Sequence, residues 1–477
     1  MMSRFASSQN HFARRSAVAL SVVLYLLVGL HWISSDSLPR DGDEEGHVGA
    51  AELVMQTALA NPLEGVGMAV AGELGHYPPL YPGVIGFHWA LMGGGDPGRL
   101  AVRSINLAWP LFAACFIWFT LRRSSPTGAA IGSALFLWSP GVVGMSRHFM
   151  PEGLLVASVA GVLWGLSWQR RADHAWSPSV LGALIAVALL IKQTSVLYLL
   201  GPLLFGLPRD RRALAVLVTA AILIAPWYFP HLGDQAAYGA ASVNGDPGVS
   251  LWRHVGFYPA SLVLGVLGPG FAFMLLPDRK SDPVSPSFER TLAWVAFGSG
   301  LLLLGFVPKK YPRLLLPLLP AVFLLIGLHF QSVKQKGVWG CLAVLGVGWT
   351  AGLSAGAFTL PRAVEVIDGR CPQRWLRAPV ADDWGLERVV EASVRAPPGG
   401  VFVEGAPEIP CTLQTTFPWD YHLGPALRRA GQDRPVAESI DSASLSIVWG
   451  APSAPPSEHS VFVPTLGRWF EIRLRAE

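Results

Sequence analysis

The sequence has little charge and little cysteine, and both shortages limit what the protein can be. Only 14% of its 477 residues are charged and 51% are hydrophobic, whereas ordinary soluble domains have about 25% charged residues. This composition is typical of a membrane protein. The four cysteines are too few and too scattered for a disulfide framework or a CxxC metal site.

The motifs of several functional classes are also missing. No basic block or nucleic-acid-binding motif occurs, so nucleic acid is excluded as a partner. No HExxH motif occurs, which argues against a membrane metallopeptidase. No Asn-x-Ser/Thr sequon occurs, which favours a bacterial cytoplasmic membrane over the endoplasmic reticulum.

Long apolar runs alternate with basic clusters along the first 359 residues, and these clusters are predicted to be cytoplasmic. The clusters are Arg4/Arg14/Arg15, Arg122/Arg123, Arg170/Arg171, Arg209/Arg211/Arg212, Arg279/Lys280/Arg290 and Lys334/Lys336. Two passes fit between successive clusters, which predicts about eleven transmembrane spans. These spans are 16–34, 99–121, 126–145, 153–168, 177–191, 194–207, 213–229, 260–277, 291–307, 313–330 and 337–359. The first is interpreted as a retained signal anchor, because no small-x-small cleavage pattern follows it.

The first loop outside the cytoplasm, residues 35–98, contains two unusual segments. The run "DGDEE" at 41–45 gathers four carboxylates in five positions. The stretch "HYPPLYPGVIGFHWALMG" at 76–93 is apolar enough to resemble a span. If this stretch crossed the membrane, the later basic clusters would lie outside the cytoplasm. We therefore interpret it as a helix in the membrane interface.

From residue 360 the long apolar runs stop, which predicts a transmembrane domain over 1–359 and a soluble domain over 360–477. The segments "GGVFVEG", "SLSIVWG", "SVFVPTL" and "RWFEIRLR" predict strands, while "WGLERVVEASVRA" and "DYHLGPALRRAG" predict helices. The predicted fold class is an all-α polytopic membrane protein with a C-terminal extracytoplasmic α/β domain. Cys371 and Cys411 of that domain are expected to form a disulfide, whereas Cys115 and Cys341 are expected to pack within spans.

Acidic residues at two helix starts have both a structural and a functional interpretation. Asp43 and Glu44 follow a helix-start signal and Glu152 follows Pro151, and carboxylates in a first turn interact favourably with the helix dipole. The functional interpretation is a carboxylate base beside the membrane surface. His47 lies four residues after Asp43 and shares its helix face. Asp43, Glu44 and His47 also form a weak candidate metal site.

Cationic residues interrupt apolar sequence on the same predicted face. For Lys192 the structural interpretation is a lysine that extends to the interface, and the functional one is a ligand for a lipid phosphate. Lys309, Lys310 and Arg313 lie outside against the usual bias, which predicts a bound anion. Ionisable groups at membrane depth are costly, so their convergence on one face predicts a shared functional pocket.

Five short motifs follow one another in the first 360 residues. They are Asp43-Glu44, Pro78-Pro79-Leu80-Tyr81, Met150-Pro151-Glu152, Lys192-Gln193-Thr194 and the stretch 311–320. Their order and spacing resemble the GT-C superfamily of integral-membrane glycosyltransferases, especially its protein-mannosyltransferase and aminoarabinose-transferase relatives. Two positions depart from that pattern: the family often has Asp where this chain has Glu152, and aminoarabinose transferases carry a lysine where it has Tyr77.

The resemblance implies a GT-C-type fold and a polyprenyl-phosphate-linked sugar as donor. In this scheme Asp43 accepts the proton of the acceptor, the sugar is transferred with inversion, and Glu44 and Glu152 position the acceptor or the base. Lys192, together with Lys309, Lys310 or Arg313, neutralises the leaving phosphate. The implied catalytic residues are therefore Asp43, Glu44 and Glu152, and the implied substrate-binding residues are His47, Tyr81, Lys192, Lys309, Lys310 and Arg313.

The implied partners are the lipid donor, membrane lipid, and a lipid, glycan or protein acceptor. A divalent cation such as Mg²⁺ or Mn²⁺ is compatible with this chemistry but not required. Two alternatives remain: a transporter or flippase of a lipid-linked or anionic substrate, and a non-catalytic membrane assembly protein. A transporter should show inverted repeats or helices broken near the midplane. We expect a multi-pass protein of the bacterial cytoplasmic membrane, with the N-terminus in the cytoplasm and the C-terminal domain outside.

Overall fold

A computed structural model describes most of the transmembrane part of the chain and selected segments of its C-terminal part. The described residues are 2–36, 42–71, 74, 77–94, 100, 103–171, 177–243, 251–276, 287–307, 311–332, 336–355, 386–395, 400–404, 427, 443–449, 460–463 and 468–474. Helices dominate this part of the chain. In chain order they are α1 (Met2–Ser35), α2 (Gly42–Ala60), α3 (Pro62–Ala71), α4 (Leu80–Leu91), α5 (Ala108–Leu121), α6 (Pro126–Phe136), α7 (Pro140–Met145), α8 (Glu152–Gln169), α9 (Ser177–Ile191), α10 (Val196–Gly206), α11 (Arg211–Tyr228), α12 (Leu232–Val243), α13 (Leu251–Ser261), α14 (Pro269–Phe273), α15 (Phe288–Gly305), α16 (Leu319–Ser332), α17 (Lys336–Ser354) and α18 (Leu386–Arg395).

Within the described residues, four helical segments are long and apolar enough to cross a membrane. They are Arg15–Ser35, Arg211–Tyr228, Pro312–Phe330 and Lys336–Ser354. Shorter apolar helices lie at Ile105–Leu121, Ser177–Ile191, Gln193–Gly206 and Gly256–Val266. Apolar helices of this kind are those of an integral membrane protein. The count of eleven spans stays a prediction.

Two predicted spans are wrong as continuous helices. The span 126–145 is divided into α6 and α7, because Ser139 is extended and Pro140 opens a new helix, as proline does at a first helical position. The span 260–277 is interrupted at Gly268, whose φ of 84° lies in the left-handed region and which precedes Pro269 at the start of α14.

The buried centre of the molecule consists of α8 and the segment from Pro312 through α16. α8 packs against α5, α9 and α10, and the segment Pro312–Phe330 is mostly buried. α6 crosses α16 with its backbone in close approach at Gly128 and Gly327, which small residues permit. A helix is present within 76–93 as α4, and it packs on α2 and α3; its position in the membrane interface stays a prediction.

The C-terminal strands form a four-stranded sheet. They are β1 (Gly400–Glu404), β2 (Ala443–Trp449), β3 (Ser460–Val463) and β4 (Arg468–Leu474), in the spatial order β1-β2-β4-β3. β1 pairs with β2 in parallel, and the other two pairings are antiparallel. The four predicted strand segments and the helix predicted at 384–396 are confirmed. The domain boundary at 359/360 stays a prediction.

The predicted cysteine roles have different outcomes. Cys371 and Cys411 lie outside the described residues, as does most of the helix predicted at 420–431, so the disulfide stays a prediction. Cys115 and Cys341 are free and exposed. The packing role expected for these two is therefore wrong, because their helices turn them away from the core.

Candidate functional site

Lys192 lies where two apolar helices meet. It follows α9 in an extended conformation, with φ of −159° and ψ of 128°, and a 3₁₀ turn at Gln193–Ser195 leads into α10. Its side chain is buried, and its Nζ donates a hydrogen bond of 2.7 Å to Oε1 of Glu152. The interpretation of Lys192 as a lysine that extends to the interface is therefore wrong.

Arg313 contacts the same carboxylate oxygen from a third element. It lies in the 3₁₀ turn Pro312–Leu318, and its Nε is 3.5 Å from Oε1 of Glu152. Its guanidinium lies 4.8 Å from the centre of the Tyr311 ring. Tyr198 of α10 fixes this turn by donating a hydrogen bond of 2.8 Å to the carbonyl of Leu314. One buried carboxylate thus lies between two buried cations.

The sequence-based scheme assigned this acid and these cations to different substrate groups, but the structure pairs them with each other. Glu152 is the first residue of α8, which agrees with the helix-start interpretation. That interpretation alone is incomplete, because the side chain is only 1% exposed and bonds across the fold. Glu in place of Asp gives this carboxylate one more methylene with which to reach Lys192.

Glu44 is the centre of a second buried cluster. It lies in the first turn of α2, and its Oε1 accepts a hydrogen bond of 2.6 Å from the backbone N–H of Phe149. Its Oε2 lies 3.4 Å from Nδ1 of His148 and 3.8 Å from Nη2 of Arg103. Arg103 also donates a hydrogen bond of 2.8 Å to Asp36. These contacts attach the start of α2 to the loop before α8.

The surroundings of Glu44 keep it charged. Burial alone raises the pKa of its carboxyl group, but the positive charge of Arg103, the interaction with His148 and the Phe149 N–H outweigh burial. The net result is a pKa well below the usual 4.5. A carboxylate with so low a pKa is a weak proton acceptor at neutral pH.

Aromatic and amide side chains join the two clusters. Tyr81 of α4 donates a hydrogen bond of 3.1 Å to Oδ1 of Asn106, whose Nδ2 donates one of 3.0 Å to the carbonyl of His148. The His47 ring lies 5.4 Å from the Tyr81 ring and 5.0 Å from the Tyr77 ring, measured between centroids. The charges of Glu44 and Glu152 both act on Tyr81. The predicted convergence of His47, Tyr81, Glu44, Glu152, Lys192 and Arg313 is therefore present.

Comparisons with known proteins agree with this arrangement. Residues 76–232 match the family described as "Dolichyl-phosphate-mannose-protein mannosyltransferase". The structure of ArnT from Cupriavidus metallidurans in the apo state has a TM-score of 0.61 and 13% sequence identity, over 96% of this chain and 98% of that chain. The GT-C resemblance is confirmed. The same ArnT bound to undecaprenyl phosphate has a TM-score of 0.59 and 15% identity, over 95% of this chain and 97% of that chain. No curated protein matches the sequence.

The family match covers part of the candidate site. It includes Tyr81, Arg103, Glu152 and Lys192, whereas the acidic run at 41–45 lies before it and Arg313 lies after it. The likeness to ArnT extends over nearly the whole chain but, at this identity, describes the fold. Together the two findings support an integral-membrane glycosyltransferase.

Three predicted residues of the GT-C site lie partly or wholly outside the described residues. The backbone of Asp43 belongs to α2, one residue before Glu44, but its side chain is not described. Lys309 and Lys310 lie in the undescribed segment 308–310, directly before Tyr311. The roles of all three stay predictions.

Sequence reasoning missed Asp36, Arg103, Asn106 and His148. Arg103 was predictable from the sequence, because an arginine inside the predicted span 99–121 is costly unless it is paired. His148 lies in the polar stretch "SRHFMPEG" at 146–153, four residues before Glu152, so the sequence offered a signal for it as well. Asp36 and Asn106 gave no such signal, since single polar residues at helix ends are common.

The described acids do not form a metal site. Among the residues that the structure describes, no three His, Cys, Asp or Glu side chains are gathered closely enough to hold a metal ion. Glu44 and Glu152 each contact an arginine or lysine, which competes with a metal ion for the carboxylate oxygens. The candidate metal site of Asp43, Glu44 and His47 stays a prediction, because the side chain of Asp43 lies outside the described residues.

Proposed function

We propose that this protein transfers a sugar from a polyprenyl-phosphate-linked donor to an acceptor at the extracytoplasmic face of a membrane. The observation that carries the proposal is the group formed by Lys192, Arg313 and Glu152. Two buried cations, Lys192 and Arg313, contact one carboxylate oxygen of Glu152. Charge-assisted hydrogen bonds from an ammonium and a guanidinium suit a lipid phosphate.

Lys192 and Arg313 suit the phosphate that leaves with the lipid. The ammonium is a compact charge with three donors, and the guanidinium presents a planar set of donors that matches phosphate oxygens. Both are held by elements of the buried core, so little reorganisation is needed when negative charge develops on the phosphate. Lys309 and Lys310 adjoin this turn in sequence and add to the positive charge near it.

Asp43 is the proposed base. Glu44, its neighbour, has a lowered pKa and accepts a backbone hydrogen bond, so it suits a positioning role better than proton transfer. Glu152 is paired with Lys192, which assigns it to positioning the phosphate-binding cations and the acceptor. Tyr81 and His47 pack edge to face with centroids 5.4 Å apart, and the proposal gives them a role in binding the substrate.

The proposed reaction is a single displacement. The acceptor O–H or N–H attacks the anomeric carbon from the side opposite the phosphate, and its proton passes to the Asp43 carboxylate. The bond from the anomeric carbon to the phosphate oxygen breaks, and its electron pair stays on the phosphate. Inversion at the anomeric carbon follows. Most of the rate enhancement then comes from charge placement and orientation.

The decisive experiment incubates the purified full-length protein with a panel of polyprenyl-phosphate sugars and candidate lipid, glycan and peptide acceptors. Mass spectrometry detects released polyprenyl phosphate and the glycosylated product, and NMR gives the anomeric configuration. We expect at least one donor to be consumed with inversion. Turnover of no donor, or retention of configuration, would contradict the proposal.

Replacement of the proposed base tests its role. Asp43→Asn should lower the transfer rate by about 10²- to 10⁴-fold, which is the usual contribution of a general base. Asp234→Asn is the matched control, because Asp234 is an exposed acid in the first turn of α12. An unchanged rate in a folded Asp43→Asn variant would remove the base assignment but leave the phosphate site untouched.

A further inference from the structure

An open cavity of about 620 Å³ lies at the opposite end of the helices that carry the candidate site. Arg170, Arg209 and Arg212 line it, together with the apolar side chains of Leu204 and Phe205. Leu204 is 74% exposed on the outer surface of α10. The cavity therefore combines three cationic groups with an apolar edge that faces outward.

Gln169 places a buried amide, without hydrogen-bond partners in the described part of the chain, at the wall of the cavity. This residue lines the cavity and is only 5% exposed. Neither its Nε2 nor its Oε1 has a hydrogen-bond partner among the described residues. A buried amide without hydrogen-bond partners destabilises the protein. A ligand that forms a hydrogen bond with this amide therefore binds more tightly.

The arginine beside Gln169 is held in position. The guanidinium of Arg170 lies 4.7 Å from the centre of the Phe288 ring, which stacks at 5.6 Å on Phe205. Cation–π contact reduces the side-chain freedom that the arginine would otherwise lose on binding an anion. Arg209 is exposed and Arg212 is half-buried at the start of α11.

The cavity is separate from the candidate site. α8 begins with Glu152 at the candidate site and ends with Gln169 at the cavity, a rise of about 26 Å along a helix. The chain from Lys192 through α10 runs about 21 Å and ends at Gly206, which also lines the cavity. The two sites thus lie at opposite ends of the same pair of helices.

We propose that this cavity binds the headgroup phosphate of an anionic phospholipid. Arg170, Arg209 and Arg212 hold the phosphate, and the Gln169 amide donates a hydrogen bond to a phosphate or glycerol oxygen. The acyl chains leave over Leu204 and Phe205 into the surrounding membrane. A basic cavity bordered by lipid-facing residues is the usual form of such headgroup sites. The apolar edge favours a lipid over free phosphate, which has no apolar part to bury.

The test uses the full-length protein, stripped of lipid in mild detergent, and native mass spectrometry to count bound lipid. The probes are dioleoylphosphatidylglycerol, dioleoylphosphatidylcholine and inorganic phosphate. We expect the anionic lipid to bind at least about tenfold more tightly than the zwitterionic lipid and to resist displacement by millimolar phosphate. Equal affinity for the two lipids, or displacement by phosphate, would overturn the proposal.

Two variants locate the site. Arg209→Gln should weaken binding of the anionic lipid about fivefold, which corresponds to roughly 1 kcal/mol for one arginine near the membrane surface. Arg211→Gln is the matched control, because Arg211 is exposed in the same segment but does not line the cavity. Gln169→Leu should weaken binding while the melting temperature stays equal or rises. Equal lipid affinity in Arg209→Gln and Arg211→Gln would refute the assignment.

Discussion

Glu152 joins three elements of the fold and, in the proposed reaction, also positions the phosphate-binding cations. Its Oε1 lies 2.7 Å from Lys192 Nζ and 3.5 Å from Arg313 Nε, so in that proposal it shares both cations with the donor phosphate. Removing one member of such a buried group leaves the others without compensation. Stability and activity should therefore respond differently to single and double substitutions.

Lys192→Gln should abolish most sugar transfer, by about 10²- to 10³-fold, because a preorganised charge at the leaving group is lost. The single variant should also melt at a lower temperature, since Glu152 loses a partner. In Lys192→Gln/Glu152→Gln the melting temperature should fall further, because buried Arg313 then also loses its contact with Glu152, while transfer stays low. The measurements are transfer by mass spectrometry and thermal melting in detergent.

The control for this pair is Lys336→Gln, since Lys336 is exposed at the start of α17. It should change neither quantity. If Lys192→Gln keeps the wild-type transfer rate while its melting temperature falls, Lys192 has a structural role only and the phosphate assignment fails.

Glu44 gives the protein a specific dependence on acid. Because its folded-state pKa lies below the usual 4.5, its stabilising effect is complete above that pH and is lost as the pH falls below it. The free energy of unfolding should therefore decline below about pH 4.5. Glu44→Gln should lower it by about 3 kcal/mol at pH 7, because buried Arg103 loses a charged partner, and should make the profile flatter in acid.

Thermal melting between pH 3 and pH 7 measures this difference. Glu52→Gln is the control on the same helix, where a more exposed carboxylate accepts only a long hydrogen bond from Gln56. Parallel profiles for the wild type and Glu44→Gln would show that Glu44 does not control the acid response.

At the scale of elements, the crossing of α6 and α16 depends on two glycines. A Cβ placed at Gly128 would lie 2.1 Å from the carbonyl oxygen of Gly327, and one at Gly327 would lie 2.5 Å from that of Gly128. Both neighbours are backbone atoms, which cannot rotate away. The helices can approach this closely only because neither position carries a side chain.

Gly128→Ala should therefore destabilise the protein by about 1–3 kcal/mol, the usual range for overpacking. Gly298→Ala is the matched control, because a Cβ at Gly298 in α15 meets no atom within 4 Å. It should be neutral or slightly stabilising, since alanine favours helix over glycine by about 1 kcal/mol. Thermal melting of the two purified variants compares them, and equal melting temperatures would contradict the close crossing.

The helix boundaries also show where hydropathy alone does not predict the structure. Apolar composition predicted the ranges of α8, α9 and α15 closely, because a lipid-exposed or buried helix needs only apolar side chains. It did not predict the helix breaks at Ser139 and Gly268. A proline follows each break, Pro140 and Pro269, and starts a new helix although the surrounding side chains are apolar. Proline and glycine near the middle of the ranges 126–145 and 260–277 were the available signals.

At the scale of the molecule, two arginine-lined cavities lie at one end and the candidate site lies at the other. Arg170, Arg209 and Arg212 share one cavity, and a second cavity at this end is lined by Arg122, Arg123 and Arg171. Basic residues in these positions favour a cytoplasmic location. The candidate site is then expected outside the cytoplasm.

Cysteine labelling in intact cells tests this orientation. In a background whose four cysteines are replaced by serine, Gly46→Cys should react with a membrane-impermeant maleimide added outside, because Gly46 is exposed on α2 near the candidate site. Arg211→Cys, exposed at the start of α11, should react only after the cells are permeabilised. The opposite pattern would reverse the predicted topology.

The sequence by itself determined the membrane class, a helix within 76–93, the strands of the C-terminal sheet and several of the residues that meet in the candidate site. These properties depend on composition, periodicity and the cost of isolated charges in apolar segments, all of which are local. Only the tertiary structure decided that Glu152 binds Lys192 and Arg313, and that Glu44 binds Arg103 and His148. Those pairings join residues 40 to 161 positions apart, and their choice depends on how helices pack, because each acid had several cations of suitable chemistry available.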